Sequence, residues 1–260
     1  MGAFLRGTCT ALLALYAGSL SATVIGVPHT EFRATYALGS NGRVNIQNLY
    51  GDVQITAWDR DEVLIEATKH SPDARHLDEA RIVVDSTGGS VSIRTQYTGS
   101  DAESPAAVEY RIMVPRNASL ENVKLVNGGL SISGVTGTVK ASSVNGNIKV
   151  EKLEGEADLS TINGQVEAEF NRVSRCHPIT LSSVNGPIHL SLPSGASASV
   201  SAQNRSGGID SDFGRPWRAS TGHRLDHNLN GGGAIIRVHN VNGGISIHSA
   251  LGRKGRGPVS

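Results

Sequence analysis

Short runs of alternating apolar and polar residues, each interrupted by an Asn-Gly pair, dominate the second half of the chain. The pairs are Asn127-Gly128, Asn145-Gly146, Asn163-Gly164, Asn185-Gly186 and Asn242-Gly243. The first three asparagines are 18 residues apart, the next step is 22, and the last is 57. A degenerate copy, RSGGIDS from Arg205, lies inside the long gap, and an early relative, NLYGDVQI, begins at Asn48. Self-similarity of this kind is the sequence signature of a repeat architecture.

Each unit has the pattern of two short strands joined at the Asn-Gly pair. An aliphatic residue precedes every asparagine, and two apolar positions follow with period two, as Ile148 and Val150 follow Asn145. Because period-two alternation places side chains on one face of a strand, we expect the apolar residues to lie on an inner face. Short polar residues such as Lys149 should point outward. Asn-Gly tolerates the positive φ of a tight reversal, so the sequence predicts structural turns at all five pairs.

An all-β fold follows, and two architectures fit it. In a β-solenoid, or β-helix-like stack, each strand–Asn-Gly–strand unit of about 18–22 residues forms one coil on top of the previous one. In a meander, each Asn-Gly pair closes an antiparallel hairpin. The nearly constant 18-residue period favours coils, because hairpins tolerate more variation in length.

The pattern divides the chain into four regions. Residues 1–22 have the order of a secretory signal peptide, with Arg6 before an apolar stretch and small residues after it. Residues 30–120 contain further alternating strands, with one helical turn predicted from Ser71 and Pro72. Residues 121–250 form the repeat region, continuous with the preceding one, and residues 251–260 are a basic tail. An uncleaved membrane anchor is the alternative for the first region.

The signal segment predicts a periplasmic, secreted or cell-surface protein with no membrane span after cleavage. Cys9 lies in this segment, so Cys176 is the one cysteine of the mature chain and forms no internal disulfide. Aromatic residues make up 4% of the chain, and the core must therefore consist of aliphatic side chains. The formal charge of +1 indicates no general attraction to nucleic acid.

Candidate chemistry is sparse. His223 and His227 are four residues apart, but glycines on both sides disfavour a helix there, and a polar loop is the simpler interpretation. Asp210 and Asp212 resemble a calcium-binding glycine-rich repeat, yet that motif requires tandem copies. Neither a nucleophile elbow nor a dinucleotide fingerprint is found in the sequence. We therefore predict no catalytic, metal or cofactor site.

Three stretches resemble the bacterial "putative adhesin" family of exported β-strand repeat proteins: GDVQITAWDRDEV from Gly51, VEYRIMVP from Val108, and the VNG units. The resemblance implies a β-helix-like fold and an extracytoplasmic location, and it brings no catalytic residues. The chain departs from the pattern where Ser206-Gly207 replaces Asn-Gly.

The functional expectation is a non-catalytic adhesin or envelope-associated binding scaffold. Its partner would be an envelope component, a surface polymer or a protein, contacted weakly through many repeated positions. Lys140, Lys149 and Lys152 are expected to attract an acidic partner. The alternatives are a polysaccharide-active β-helix enzyme and a self-assembling structural protein.

Overall fold

A computed structural model describes residues 28–98, 105–213, 217–219 and 223–249 of the chain. The predicted signal peptide, residues 1–22, and the basic tail, residues 251–260, lie outside the described residues. Apart from a short 3-10 helix, Ala74–Leu77, the regular elements are strands. Asp73 caps that helix, two residues later than the predicted cap Ser71, because its carboxylate accepts a hydrogen bond from the backbone N–H of Arg75.

The first half of the chain supplies strands of four to nine residues. They are β1 His29–Ala37, β2 Arg43–Tyr50, β3 Val53–Trp58, β4 Glu62–His70, β5 Ala80–Thr87, β6 Ser90–Tyr97, β7 Ala107–Pro115, β8 Ser119–Asn127 and β9 Leu130–Ser133.

The second half continues the series through the remaining repeats. Its strands are β10 Val139–Asn145, β11 Ile148–Leu153, β12 Ala157–Asn163, β13 Val166–Phe170, β14 Ile179–Asn185, β15 Ile188–Leu192, β16 Ala198–Ser206, β17 Ile209–Ser211, β18 Trp217–Ala219, β19 Arg224–Leu229, β20 Ala234–Asn242 and β21 Ile245–Ser249.

The strands form two sheets, and each coil of the stack contributes one strand to each sheet. The first sheet has the order β1-β4-β7-β3-β9-β11-β13-β15-β21-β17-β18, and the second β19-β16-β20-β14-β12-β10-β8-β2-β6-β5. Equivalent strands of successive coils pair in parallel, with Asn145 beside Asn127 on one side and Asn163 on the other. The β-solenoid is therefore confirmed. The meander is wrong for the repeat region, because antiparallel hairpins would pair the two strands of one unit with each other.

Aliphatic ladders fill the space between the sheets. Ile148 lies in register between Leu130 and Val166, and all three side chains are buried. Lys149, one residue along, is exposed on the outer face. This alternation confirms the predicted inner and outer faces for the strands that follow each Asn-Gly pair. Parallel stacking places similar residues above one another. Aliphatic side chains can therefore fill the core without large aromatic rings.

Chain order and stack order agree in the four coils formed by β8 to β15, which we call the central coils. They disagree at both ends. The coil of β2 and β3 lies between β6–β7 and β8–β9, and the coil of β20 and β21 lies between β14–β15 and β16–β17. The degenerate copy at Ser206 is thus the last parallel coil of the stack, although an intact unit follows it in sequence.

Antiparallel strands cover both ends of the stack. At one end β1 pairs with β4 and β5 pairs with β6; at the other, β19 pairs with β16 and β18 with β17. A parallel coil exposed at the end of the stack would present a row of unpaired backbone N–H and C=O groups, with which another chain could pair. A strand of opposite direction pairs with these groups and gives the end a different hydrogen-bonding pattern. No helix among the described residues has the length and apolar character required to cross a membrane.

Candidate functional site

The five turn asparagines form a hydrogen-bonded ladder along one corner of the stack, where the chain passes from the second sheet to the first. Each side-chain amide donates from Nδ2 to the Oδ1 atom of its neighbour. The donor–acceptor distances are 2.9 Å from Asn145 to Asn127, 2.8 Å from Asn163 to Asn145, 2.9 Å from Asn185 to Asn163 and 2.9 Å from Asn242 to Asn185. The stack therefore brings together all five asparagines that the sequence singled out, and the ladder fixes the orientation of their amides.

The glycines beside the asparagines are selected mainly by close backbone approach. A Cβ atom on Gly146 would overlap with the carbonyl oxygen of Gly128, and one on Gly164 with that of Gly146. The φ angle is +155° at Gly164, but Gly128 and Gly146 do not have a positive φ. The predicted positive φ is therefore wrong for these two, because the chain continues to the other sheet and makes no hairpin reversal. Gly186 and Gly243 combine a positive φ, +150° and +137°, with the same close approach.

A second polar row lies inside the stack, two residues before four of the five turn asparagines; Leu125 takes this position before Asn127. Thr161 donates to the carbonyl oxygen of Gly146 at 2.9 Å, and Ser183 to that of Gly164 at 3.1 Å. Asn240 and Asn204 take the same position in their coils and donate to Gly186 and Gly243. This row was not predicted from the sequence, although a serine, threonine or asparagine recurs at this position in four of the repeats. Its function is structural, because it satisfies carbonyl groups of the glycine corner that would otherwise lack a partner.

The residue immediately before each asparagine points out of the stack. Together with Leu49, which takes the same register position before Tyr50, these residues form one continuous row along the outer face of the second sheet. The stack order is Leu49, Val126, Val144, Ile162, Val184 and Val241. Four of them are substantially exposed, with 41% of Leu49, 36% of Val144, 46% of Ile162 and 37% of Val184 accessible to solvent. We call this the aliphatic row. The expectation that the units keep their apolar residues inside is wrong here.

Small polar residues line the aliphatic row on the same face. Ser142, Ser160 and Ser182 form a serine row two positions away, and the asparagine ladder borders the other side. Beyond the serines lie Lys140 and Asp158, both exposed. We call this whole surface the striped face. It repeats once per coil and combines apolar contact with hydrogen-bonding groups, as protein interaction surfaces do.

The three lysines expected to act together do not form one cluster. Lys140 lies on the striped face and pairs with Glu156 at 3.6 Å, whereas Lys149 lies on the outer face of the first sheet and pairs with Glu151 at 2.7 Å. Lys152 follows on the same strand as Lys149. Since acidic side chains compensate two of these charges, a concentrated positive field for an acidic partner is absent from this region.

The histidines also fail to form a metal site. His227 lies in β19, so it does not share a helical face with His223. Among the described residues no group of three His, Cys, Asp or Glu side chains is arranged to hold a metal ion. Asp212, considered above as a calcium ligand, accepts a hydrogen bond from the backbone N–H of Ser249 at 2.8 Å. Its Oδ2 atom lies 3.5 Å from Nδ1 of His248.

A buried polar network marks the N-terminal end of the stack. Asn48 donates to the carbonyl oxygens of Gly51 and Val108, and its own Oδ1 accepts from the Thr95 hydroxyl at 2.8 Å. The Tyr110 hydroxyl lies 2.7 Å from the same Thr95 oxygen and is its donor, because the Thr95 proton is already engaged. Burial raises the pKa of Tyr110 to about 12. The network is enclosed and holds adjacent coils together.

Comparison with solved structures supports the same fold. A "putative cell adhesion protein" from Clostridium sporogenes is 12% identical, with a TM-score of 0.51; the match covers 85% of this chain and 100% of the other. A "putative adhesin" from Bacteroides fragilis is 10% identical, with a TM-score of 0.40 over 85% of this chain and 97% of the other. At 12% identity the likeness to the Clostridium sporogenes structure is one of fold alone.

Sequence comparison is more decisive for the family. No curated protein matches the chain. The sequence profile of the Toastrack DUF4097 family, however, matches residues 4–248, which is nearly the whole chain and includes every repeat described above. The chain therefore belongs to the Toastrack DUF4097 family.

Proposed function

We propose that the protein is an exported, non-catalytic binding scaffold of the cell envelope, and that the striped face contacts its partner. The aliphatic row carries this proposal. Aliphatic side chains aligned in register on an outer sheet face expose apolar surface to water in the free protein, which is unfavourable in free energy. A contiguous exposed apolar surface of this kind typically marks an interaction site. The names of the structural neighbours from Clostridium sporogenes and Bacteroides fragilis agree with an adhesive function.

The shape of the face favours binding over catalysis. Enzyme sites occupy concave pockets where a few polar groups with perturbed pKa values converge. The striped face instead carries serine hydroxyls and asparagine amides in parallel rows that do not converge on one point. Affinity would come from the summed contacts of many coils, and presentation of many copies on a surface would strengthen a weak contact.

Binding of the purified protein to envelope fractions tests the proposal. Replacing Val144, Ile162 and Val184 together by serine should abolish retention, because it removes the central part of the aliphatic row. The matched control replaces Ser131 and Ser191 by alanine on the outer face of the first sheet and should bind as the wild type does. Equal binding by both variants, with unchanged melting temperatures, would contradict an interaction through the striped face.

Two further measurements address location and catalysis. N-terminal sequencing of the mature protein should give a start near Thr23 and recovery outside the cytoplasm; an intact Met1 in the cytosolic fraction would contradict export. Glycan and ester substrates should remain uncleaved. Cleavage that a single substitution abolishes without unfolding the protein would show that the scaffold is an enzyme.

A further inference from the structure

We propose that the partner of the striped face is a second copy of this chain, bound face to face around a two-fold axis that passes between Val144 and Ile162. This inference rests on the proposed function and names its partner. It makes the interaction homophilic: molecules displayed on one surface would bind molecules of the same kind on another. The spacing of the aliphatic row, its register and the charges beside it each support the inference.

The spacing of the row favours a partner that is itself a sheet. Neighbouring strands lie about 4.8 Å apart, so the six positions of the aliphatic row extend over roughly 24 Å. A partner can cover every position at once only if its own apolar groups repeat at the same distance. A second copy has the same spacing and the same length, and side chains of two facing sheets can then interdigitate along the whole row.

The ends of the row fix the register. If strand directions are kept and the stack is reversed, Leu49 meets the partner's Val241, Val126 meets Val184, and Val144 meets Ile162. Any shift along the stack leaves an apolar residue uncovered at each end. The arrangement is self-complementary, as a two-fold interface must be. It also places Ser142 of one copy opposite Ser160 of the other, so that these hydroxyl groups face each other.

The charges provide an independent check, because the aliphatic row alone determined the register. In this arrangement Lys140 lies opposite the partner's Asp158, and Asp158 opposite its Lys140. The remaining cationic positions of the face meet neutral polar residues: Lys124 faces Ser182, Arg237 faces Asn45, Arg94 faces Gln203 and Arg205 faces Gln96. Like charges therefore do not meet at any of these positions. Charge complementarity of this kind fixes register and suppresses wrong pairings.

The area of the face indicates a weak and reversible contact. From Lys140 to Asn145 it is about 17 Å wide, and from β6 to β16 it is about 34 Å tall, which gives roughly 600 Å² per copy. Stable complexes bury about 800 Å² per partner. A single pair should therefore dissociate readily, and arrays on two opposed surfaces would adhere through many such pairs.

Sedimentation of the purified mature protein tests the pairing over concentrations from about 1 µM to about 1 mM. The wild type should show a concentration-dependent dimer. Ile162→Lys places a charge at the centre of the row and should weaken the dimer at least about tenfold. Ser191→Lys, on the outer face of the first sheet, is the matched control and should dimerise as the wild type does. Each variant should keep its melting temperature within a few degrees of the wild type, because both sites face outward.

A charge exchange tests the two-fold register itself. Lys140→Asp and Asp158→Lys should each weaken the dimer, and the double variant should restore it, because each new charge then meets its opposite. A monomer at every concentration, a dimer insensitive to Ile162→Lys, or a double variant as weak as the single ones would overturn the proposal. If the wild type is monomeric but Ile162→Lys still loses binding to envelope fractions, the second copy is excluded and the binding face is retained. If Ile162→Lys changes neither measurement, both proposals fall.

Discussion

The central coils and the two ends of the stack solve the same packing problem in different ways. In the central coils the chain adds one coil after another in sequence order, and equivalent residues lie directly above one another. At each end an intact coil is inserted between coils made from other parts of the chain, and antiparallel strands lie outside it. A repeat can in principle continue indefinitely, whereas a finite stack needs ends that do not repeat. The ends of this stack prevent the addition of further coils. In return, the end coils pair with coils that are distant in sequence and not with the units next to them in the chain.

The interiors of the two regions differ as well. In the central coils the inner polar row consists of serine and threonine hydroxyls, which do not ionise in the ordinary pH range. At the N-terminal end the same layer holds the network of Asn48, Thr95 and Tyr110, and the tyrosine can ionise. The stability of the N-terminal end should therefore fall at high pH as the tyrosine ionises, and the inner polar row of the central coils should not contribute to such a fall.

Removing core volume should have the largest effect. Ile148→Ala in the central coils should lower the free energy of unfolding by about 2–5 kcal/mol, because ladders above and below Ile148 prevent collapse of the cavity. Leu229→Ala, on the outermost strand β19, should cost less, since that strand has a neighbour on one side and can shift. Denaturant titration measures both, with Lys149→Ala as the exposed control. Equal losses for Ile148 and Leu229 would mean that the two regions pack alike.

Filling the glycine corner should cost somewhat less. Gly146→Val forces side-chain atoms against the carbonyl oxygen of Gly128, and neither backbone can move without disturbing the ladder. We expect a loss of about 1–3 kcal/mol, the usual cost of overpacking. Gly195→Val is the matched control, because a Cβ atom there meets nothing within 4 Å. Similar melting temperatures for the two variants would contradict close approach as the reason for glycine at position 146.

The pH dependence distinguishes the regions directly. Tyr110 has its pKa raised by burial to about 12 in the folded protein, above the value of 10.0 for the unfolded chain. Its contribution to stability is therefore complete below pH 10 and is lost as the pH rises towards 12, with a loss on the order of 1 kcal/mol by pH 11. Burial also raises the pKa of Tyr97, which adds to the loss with the same sign.

Thermal melts between pH 8 and pH 11 measure this dependence. Tyr110→Phe should flatten the decline, and the slope that persists belongs to Tyr97. Hydrogen exchange should show that protection is lost first around β6 and β7 and is kept in β10 to β13. An identical decline in the wild type and in Tyr110→Phe would mean that the network does not ionise in the folded protein.

The asparagine ladder should give the smallest change. Asn163→Ala removes one donor and one acceptor between exposed side chains, and we expect a loss of about 0.5 kcal/mol, the low end for an intramolecular hydrogen bond. Ser206→Ala, at the end of the ladder where serine replaces asparagine, should cost still less. A loss above that of Gly146→Val would show that the ladder contributes more to the corner than the glycine contact does.

The solenoid was predictable because stacking repeats the same constraint in every coil. Ile148 and Val150 had to alternate with Lys149, and a period of 18 residues had to return the chain to the same point. The order of coils at the ends was not predictable in this way. β14 pairs with β20 across more than 50 residues, and hydrophobic alternation carries no information about which coil is the neighbour.

The striped face shows a different limit. Counting in steps of two from Val139 and Ala141 leads to Ser143, so phase alone places Ser143 inside and Val144 outside. Hydrophobicity argues for the reverse, and the sequence analysis followed it. The structure follows the phase, because a backbone in a parallel ladder cannot rotate one residue independently of its neighbours, and because the glycine carbonyl of the next coil needs a hydroxyl donor.

The insertion of β20 and β21 also determines the order in which the chain can assemble. A growing chain can add the central coils one at a time as they are synthesised, since each finds its neighbour already in place. The strands β16 and β17 cannot dock on β14 and β15 in the same way, because the coil that separates them is made afterwards. Until residues 234–249 are synthesised, the edges of β14 and β16 that pair with β20, and those of β15 and β17 that pair with β21, lack these partners. Residues 234–249 therefore connect the two parts of the stack, and a protease that removed them would leave the coil of β16 and β17 without its link to the central coils.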